Sequence, residues 1–343
     1  MHPSTTRRGR TGALLLAAGL IGLTACGADA SGPRLELTAA VPDEVPEGTV
    51  LRVGDPPTQA ALELSGLGDD LETEIEWANI NGGPKTLEAF RGDALDVGSV
   101  ADIPPLFATW TGTDVRIVAV RDTVDPLEHP VYELGVAPGV DVESIEDLRG
   151  KTIAYSPGQA QGAFVLRVLA EAGLTQDDVE LVELQSVDDV YVNALGSNQV
   201  EVAPLGQQLV APYLAKYSSD GGTTINGGVR DDAWTLYAPT EVLEDADKAA
   251  ALREYAAVWA EAQEWINNHP EEFAEGFYVE KEGLSPEDAA AIVEANGTYE
   301  VPTDWDEFIA RHQETADLLV EEQGQEPLQV EDIYDRRFEG VTR

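Results

Sequence analysis

Short apolar segments alternate with helical patterns along most of the chain, and this alternation limits the possible folds more than any other feature. Four apolar segments precede Arg121, and helical segments with good starting residues separate them. The fourth, Val115 to Val120, is uninterrupted, which is typical of a strand buried on both faces. Because alternating strands and helices form parallel sheets, we expect an α/β fold.

A second series follows a Pro-rich, polar break after residue 121. Its central part, Gly150 to Gly173, predicts a strand at residues 152–155, a turn at Ser156-Pro157-Gly158 and a helix containing Phe164. Such a turn directs free N–H groups and the positive end of the helix dipole at one point, so it can bind an anion. The same residues also suit an ordinary turn in which Ser156 only caps the helix.

The two series and a helical C-terminal region predict a protein of two lobes. The chain would cross between them twice, near residues 121–130 and 221–230, and these crossings would act as a hinge. The predicted segments are lobe 1 at residues 50–125 and 230–343, with the helical tail, and lobe 2 at residues 126–229.

The charge of the chain excludes several classes of partner. There are 21 Lys and Arg against 64 Asp and Glu, a formal net charge of −43. A surface of this sign repels nucleic acid and disfavours binding of the mature domain to anionic lipid. One cysteine allows no intrachain disulfide, and the four histidines lack metal-ligand spacing, so we expect neither a metal site nor a cofactor.

The first 26 residues have the pattern of an export signal. Three arginines precede an apolar run of about a dozen residues, which is too short for an ordinary membrane span. The run ends in Leu23-Thr24-Ala25-Cys26-Gly27, which resembles a bacterial lipobox. The resemblance implies a signal peptide at residues 1–25, lipidation of Cys26 and a place on the extracytoplasmic face of the cell membrane. A plain secretory signal, with Cys26 incidental, is the alternative.

Residues 26–49 are rich in Gly, Ala, Pro and acidic side chains and lack apolar periodicity. This composition predicts a flexible tether between the anchor and the globular domain.

Several segments occur in a characteristic order along the globular part. They are Leu51-Arg52-Val53-Gly54, Gly83-Pro84-Lys85-Thr86-Leu87-Glu88-Ala89-Phe90, Leu95-Asp96-Val97-Gly98, Asp102-Ile103-Pro104-Pro105, Leu148 to Ala154, Phe164 to Val179 and His269-Pro270-Glu271-Glu272. With them the chain resembles the substrate-binding proteins of ABC importers for aliphatic sulfonates, taurine and nitrate, over roughly residues 50–320. The resemblance implies a type II periplasmic-binding-protein fold, with two α/β lobes, a hinge of two crossings and a ligand in the cleft between them.

The resemblance also implies a function. The chain would be a monomeric, lipid-anchored solute receptor, not an enzyme, that captures a sulfonate-, taurine- or nitrate-like solute and delivers it to an ABC permease and its ATPase. Three alternatives stay open. They are a receptor for a nitrogen heterocycle such as a thiamine pyrimidine precursor, a sensor or adaptor that binds ligand without transport, and an enzyme on the same fold.

Ligands of open α/β sheets bind beyond the carboxyl ends of the strands, so the turns there supply the candidate site. The expected ligand-binding residues are Thr58, Gln59, Gly82, Gly83 and Asp102 from lobe 1, Ser156, Gly158, Gln159 and Gln207 from lobe 2, and Trp234 after the return crossing. Hydroxyl and amide side chains can donate the hydrogen bonds that a small-molecule site needs. Asp102 is also suited to cap a helix, and Trp234 to fill the core.

The charge of the ligand is less well defined by the sequence. The only basic residue in the six candidate turns is Lys85, so an anion would depend on backbone N–H groups. Asp55 and Asp102 could instead meet an amine, as in a zwitterionic aminosulfonate. The run Pro204-Leu205-Gly206-Gln207-Gln208 also departs from the aromatic, acidic, Pro run of many members of the family that the chain resembles.

Overall fold

The computed structural model describes residues 32–341, in which the strands form two separate sheets. The strands are β1 (Val50–Gly54), β2 (Glu74–Trp77), β3 (Val97–Ala101), β4 (Val115–Thr123), β5 (Tyr132–Val136), β6 (Thr152–Tyr155), β7 (Glu180–Glu183), β8 (Val202–Gly206), β9 (Thr223–Asn226), β10 (Trp234–Pro239) and β11 (Tyr299–Glu300). The first sheet has the order β11-β4-β10-β3-β1-β2, and the second has the order β7-β6-β8-β5-β9.

Helices surround both sheets. They are α1 (Pro56–Ser65), α2 (Gly83–Arg91), α3 (Ile103–Trp110), α4 (Ala160–Glu171), α5 (Val190–Gly196), α6 (Gln207–Tyr217), α7 (Thr240–Leu243), α8 (Ala246–Asn268), α9 (Pro270–Phe273), α10 (Pro286–Asn296) and α11 (Asp306–Gln323). A π-helix, Ala274–Lys281, joins α9 to the segment before α10. The architecture is α/β, as expected, and no helix among the described residues is long and apolar enough to span a bilayer.

Both sheets are mixed rather than purely parallel. In the first, β10 lies between β3 and β4 and runs antiparallel to both, with Thr235 opposite Val100 and Val120. The second sheet keeps the parallel pairs β6–β7 and β6–β8, whereas β5 is antiparallel to β8 and β9. The alternation predicted a parallel sheet from the first four strands, and β1 indeed pairs in parallel with β2 and β3. The first sheet is mixed because β10 returns from the second sheet and enters between β3 and β4 in the opposite direction.

The helical tail extends the first sheet and its surroundings. Helix α8 packs on α1, and the π-helix also packs on α1, where a Cβ on Gly276 would lie 2.6 Å from the Leu64 side chain. Helix α10 contacts α6, which follows a strand of the second sheet. The tail therefore contacts both halves of the fold.

Residues 32–49 are placed differently from the expected tether. The Leu35 N–H donates to the Glu244 carbonyl at 2.6 Å, Val41 is buried, and Arg253 forms an ion pair with Asp43. This part of the segment therefore packs on the globular body. The predicted signal peptide and Cys26 lie outside the described residues.

Candidate functional site

A cavity of about 430 Å³ lies where the carboxyl ends of β1 and β3 and the start of α6 face the helical tail. Its walls include Asp55, Thr58 and Ser99 on one side and Gln207 and Gln208 on the other. This volume is in the range of small-molecule sites, and the position follows the rule for open α/β sheets.

Arg121, at the end of β4, is the only arginine or lysine among the described residues that line this cavity. Its Nη1 donates to the Gln263 Oε1 at 2.6 Å, and its Nε is buried without a partner among the described residues. The guanidinium carbon lies 3.8 Å from the centroid of the Tyr299 ring and 5.2 Å from that of Trp234. The aromatic contacts fix the plane of the guanidinium and leave a donor available, which is the arrangement that binds an oxyanion.

The surroundings of Arg121 are themselves held by hydrogen bonds. The Gln263 side chain is buried, and its amide donates to the Thr58 hydroxyl at 3.5 Å and to the Trp259 carbonyl at 3.3 Å. The Trp234 Nε1 donates to the Ser99 hydroxyl at 2.7 Å. Thr58 and Trp234 thus belong to the walls around the guanidinium.

Asp55 is fully engaged with protein donors. It is buried and accepts hydrogen bonds from the Trp259 Nε1 at 3.0 Å, the Tyr255 hydroxyl at 3.3 Å and the Thr58 N–H at 3.3 Å. Burial raises the pKa of its carboxyl above the ordinary value, and the Thr58 hydrogen bond opposes this shift. Because all these donors already point at Asp55, the carboxylate orients Trp259 and has little capacity left for a ligand amine.

The expected site residues fall into two groups. Thr58, Gln207 and Trp234 line the cavity, and the Gln207 amide donates to the Pro130 carbonyl at 2.7 Å. Gln59, Gly82, Gly83, Asp102, Ser156, Gly158 and Gln159 do not line it. In lobe 1, the Gln59 amide donates a hydrogen bond to Glu63 on its own helix. Gly83 allows the start of α2 to pack against Pro104, because a Cβ at position 83 would lie only 2.4 Å from the Pro104 side chain.

The turn before α4 also lies away from this cavity. Gly158 has φ +80°, and Phe107 of α3 would lie 3.0 Å from a Cβ at this position. The Gln159 side chain is occupied by the Ser186 backbone, through one donated and one accepted bond. Ser156 is buried, and the structure gives no side-chain cap to α4. The Phe107 ring and the Ser186 backbone therefore occupy the space in front of this turn.

Asp102 belongs to a buried polar cluster. Its side chain does not cap α3, and instead lies 3.8 Å from the Arg167 guanidinium, which also contacts Asp231 and the Thr315 hydroxyl. The Asp102 carbonyl lies 3.0 Å from the Nε2 of His312, whose Nδ1 lies 2.7 Å from the Tyr334 hydroxyl. Arg167 comes from α4 and the other groups come from outside the second sheet, so the cluster joins the two halves of the fold.

The His312 environment makes stability depend on pH. Burial lowers the pKa of its imidazole below the ordinary 6.5, so the folded protein favours neutral histidine. The stabilisation is present above about pH 6.5 and is lost as the pH falls below it, at up to about 1.4 kcal/mol per pH unit. When the pH is lowered from 7.5 to 5.5, we expect the melting temperature of the wild type to fall by more than that of His312→Gln. Parallel curves for the two proteins would contradict this account.

Arg121 was missed as a site residue because its contacts come from distant segments. The sequence showed it only as the end of an apolar strand at the start of the predicted first crossing. A charged residue directly after a buried strand, at a lobe crossing, was the available signal. The expectation that an anion would depend on backbone N–H groups, with Lys85 as the only base in the candidate turns, does not hold for this cavity, because β4 brings Arg121 to its wall.

The first predicted crossing is tied to the second by ion pairs. Arg230 pairs with Asp122 at 3.3 Å and with Asp232 at 2.6 Å, and the Thr123 N–H donates to Asp232 at 2.7 Å. Both segments border the cavity, so the relative position of the crossings affects its width.

The family of the chain follows from sequence comparison. The profile of the family described as NMT1/THI5 like matches residues 101–272, just over half of the chain. The chain belongs to the NMT1/THI5-like family. The matched region includes β4 with Arg121, the whole second sheet and all of α8.

Comparisons with individual proteins cover different shares of the chain. A putative aliphatic sulfonates-binding protein of Escherichia coli (strain K12) is 32% identical over 117 residues, which is 34% of this chain and only 35% of that protein. The alkanesulfonate-binding protein SsuA of Xanthomonas axonopodis pv. citri, bound to MOPS, is similar in structure, with a TM-score of 0.70, 22% identity and coverage of 84% of this chain and 99% of SsuA.

A desulfurization enzyme, DSZB, has the same fold, with a TM-score of 0.59, 16% identity and coverage of 83% of this chain and 96% of the enzyme. The periplasmic-binding-protein fold predicted from the sequence is confirmed by the similarity to SsuA. Because binding proteins and an enzyme share this fold, function depends on the cavity.

Proposed function

We propose that the protein is an extracytoplasmic solute receptor of an ABC importer and that it binds an organic sulfonate in the Arg121 cavity. The observation that carries the proposal is Arg121 on the wall of a cavity of small-molecule size, with a buried Nε–H that no described residue accepts. A sulfonate has three acceptor oxygens and one negative charge, so it can pair with the planar guanidinium through two hydrogen bonds. The sulfonate-binding relatives support this ligand class.

The charged groups near the cavity favour an anion over a cation. Asp55 is engaged by three protein donors, and Asp232 is paired with Arg230. Asp189 and Glu282 also line the cavity but are exposed to solvent, which screens them. Arg121 is therefore the charge least compensated by the protein, and an amine or a cationic heterocycle would have to lie beside it.

The remaining parts of the proposal concern attachment and delivery. The lipobox-like segment would anchor Cys26 in the membrane, and the receptor would act as a monomer that presents its solute to a permease and ATPase without changing it. The relatives that bind sulfonates support the receptor role over the enzyme role. The turn residues that do not line the cavity stay candidates for contacts made when the lobes move relative to each other.

A thermal-shift panel tests the ligand class. We expect organic sulfonates to raise the melting temperature by about 5 °C at a hundredfold excess over Kd, because ligand binding to the folded state alone contributes about 2.7 kcal/mol there. Amines, amino acids and thiamine pyrimidine precursors should leave it unchanged. A shift with the pyrimidines and none with any sulfonate would reject the sulfonate proposal in favour of the heterocycle alternative.

A further inference from the structure

The side of the cavity formed by the helical tail is mostly apolar, although Gln263, Glu282 and Asn296 also belong to it. The residues that the tail contributes to its wall include Ile266, Phe273, Phe277, Tyr278, Leu284 and Ile292. They come from α8, α9, the π-helix, the segment after it and α10. Together with Trp234, Trp259 and Tyr299 near Arg121, these residues give the cavity one cation and a wall rich in rings and aliphatic groups.

The rings of the tail form a fixed cluster. Phe273 and Phe277 are stacked with centroids 5.3 Å apart, and the Tyr278 ring meets their edges at 5.8 and 5.0 Å. The π-helix allows the consecutive residues Phe277 and Tyr278 both to reach the cavity, and π-helical turns are frequent at functional sites. Gly276 anchors this turn by permitting close contact with Leu64.

The dimensions of the cavity exclude a good fit for the smallest anions. Nitrate or methanesulfonate at Arg121 would fill a small part of the 430 Å³ and leave the tail wall in contact with water. Apolar surface gains free energy in proportion to the area removed from water, and aromatic rings add offset or edge contacts with other rings. A ligand with a ring attached to its sulfonate group would use both the cation and the apolar wall.

We propose that the preferred solute is an aromatic sulfonate, with its acid group at Arg121 and its ring against Phe277, Tyr278 and Leu284. This rests on the proposed receptor function and adds the chemical class of the apolar part. It distinguishes the chain from a receptor that selects for taurine, methanesulfonate or nitrate.

Calorimetric titration of the purified protein with naphthalenesulfonate and methanesulfonate tests the class. We expect naphthalenesulfonate to bind about 30-fold or more tightly than methanesulfonate, because its rings cover apolar wall that the methyl group cannot reach. Equal affinities would overturn the aromatic class and leave the receptor function standing. No binding of either sulfonate would count against the receptor function itself.

A matched pair of variants tests the wall. Leu284 is half-buried and lines this cavity, whereas Val293 is half-buried and lines the neighbouring groove between α8, α9 and α10 but not the cavity. Leu284→Ala should weaken naphthalenesulfonate about fivefold and leave methanesulfonate unchanged, because only the ring reaches this side chain. Val293→Ala should change neither. An equal loss for both sulfonates in Leu284→Ala, or no loss for either, would contradict the assigned position of the ring.

Discussion

Arg121→Gln should weaken sulfonate binding by about 100-fold or more. Truncating one partner of a buried, hydrogen-bonded charge pair costs about 2–5 kcal/mol, and each 1.4 kcal/mol is a tenfold change in Kd. The substitution removes the positive charge and the Nε donor, which no described residue accepts, whereas Nη1 donates to Gln263. Calorimetric titration with naphthalenesulfonate measures the effect.

The same strand offers a matched control. Arg116 lies five positions earlier on β4 and pairs with the exposed Asp114 at 2.6 Å. Exposed ion pairs contribute little to stability, so Arg116→Gln should bind the sulfonate with wild-type affinity. Arg121→Lys should recover only part of the affinity, because an ammonium keeps the charge and loses the planar pair of donors. Wild-type affinity in Arg121→Gln would remove Arg121 from the site.

Arg167→Met should destabilise the folded protein by about 3–5 kcal/mol, which is the usual cost of removing one partner from a buried ion pair. The Arg167 side chain is 20% exposed, and its partners Asp102 and Asp231 are each 4% exposed. Removal of the guanidinium would leave two carboxylates in the interior without a counter-charge. Urea denaturation measures the change in the free energy of unfolding.

Arg149→Met is the control for loss of an arginine from the second half of the fold. Arg149 is 61% exposed and pairs with Asp178, so its loss should cost less than about 1 kcal/mol. Equal free energies of unfolding for Arg167→Met and Arg149→Met would show that the buried cluster around Asp102 does not stabilise the contact between the two halves.

The sequence predicted those elements whose pattern is local. The strand at residues 152–155 and the helix after it were expected, and the structure has β6 at Thr152–Tyr155 and α4 at Ala160–Glu171. A short apolar run determines the strand, and apolar residues recurring at helical spacing determine the helix. The start of α4 lies before Phe164 because small residues at its first turn allow the helix to pack against the turn, as Gly162 does beside the Ser156 carbonyl.

The sheet order and the cavity depend on contacts between distant residues. Nothing in the local pattern of Trp234–Pro239 shows that this strand enters between β3 and β4. Arg121 becomes a candidate only through Gln263, 142 residues later, and through Tyr299. The apolar wall comes from a tail that the sequence identified as helical but could not place over the cleft. Local turns therefore predicted Thr58, Gln207 and Trp234 in the cavity, but not their charged partner.

The most direct test of the central claim is a titration of the wild-type protein with naphthalenesulfonate, with analysis of the ligand afterwards. We predict saturable binding of one sulfonate per chain and recovery of the sulfonate without chemical change, because the Arg121 cavity holds the anion and delivers it. Absence of binding of both naphthalenesulfonate and methanesulfonate, or release of sulfite or any other product from the sulfonate, would contradict the account of the protein as a solute receptor.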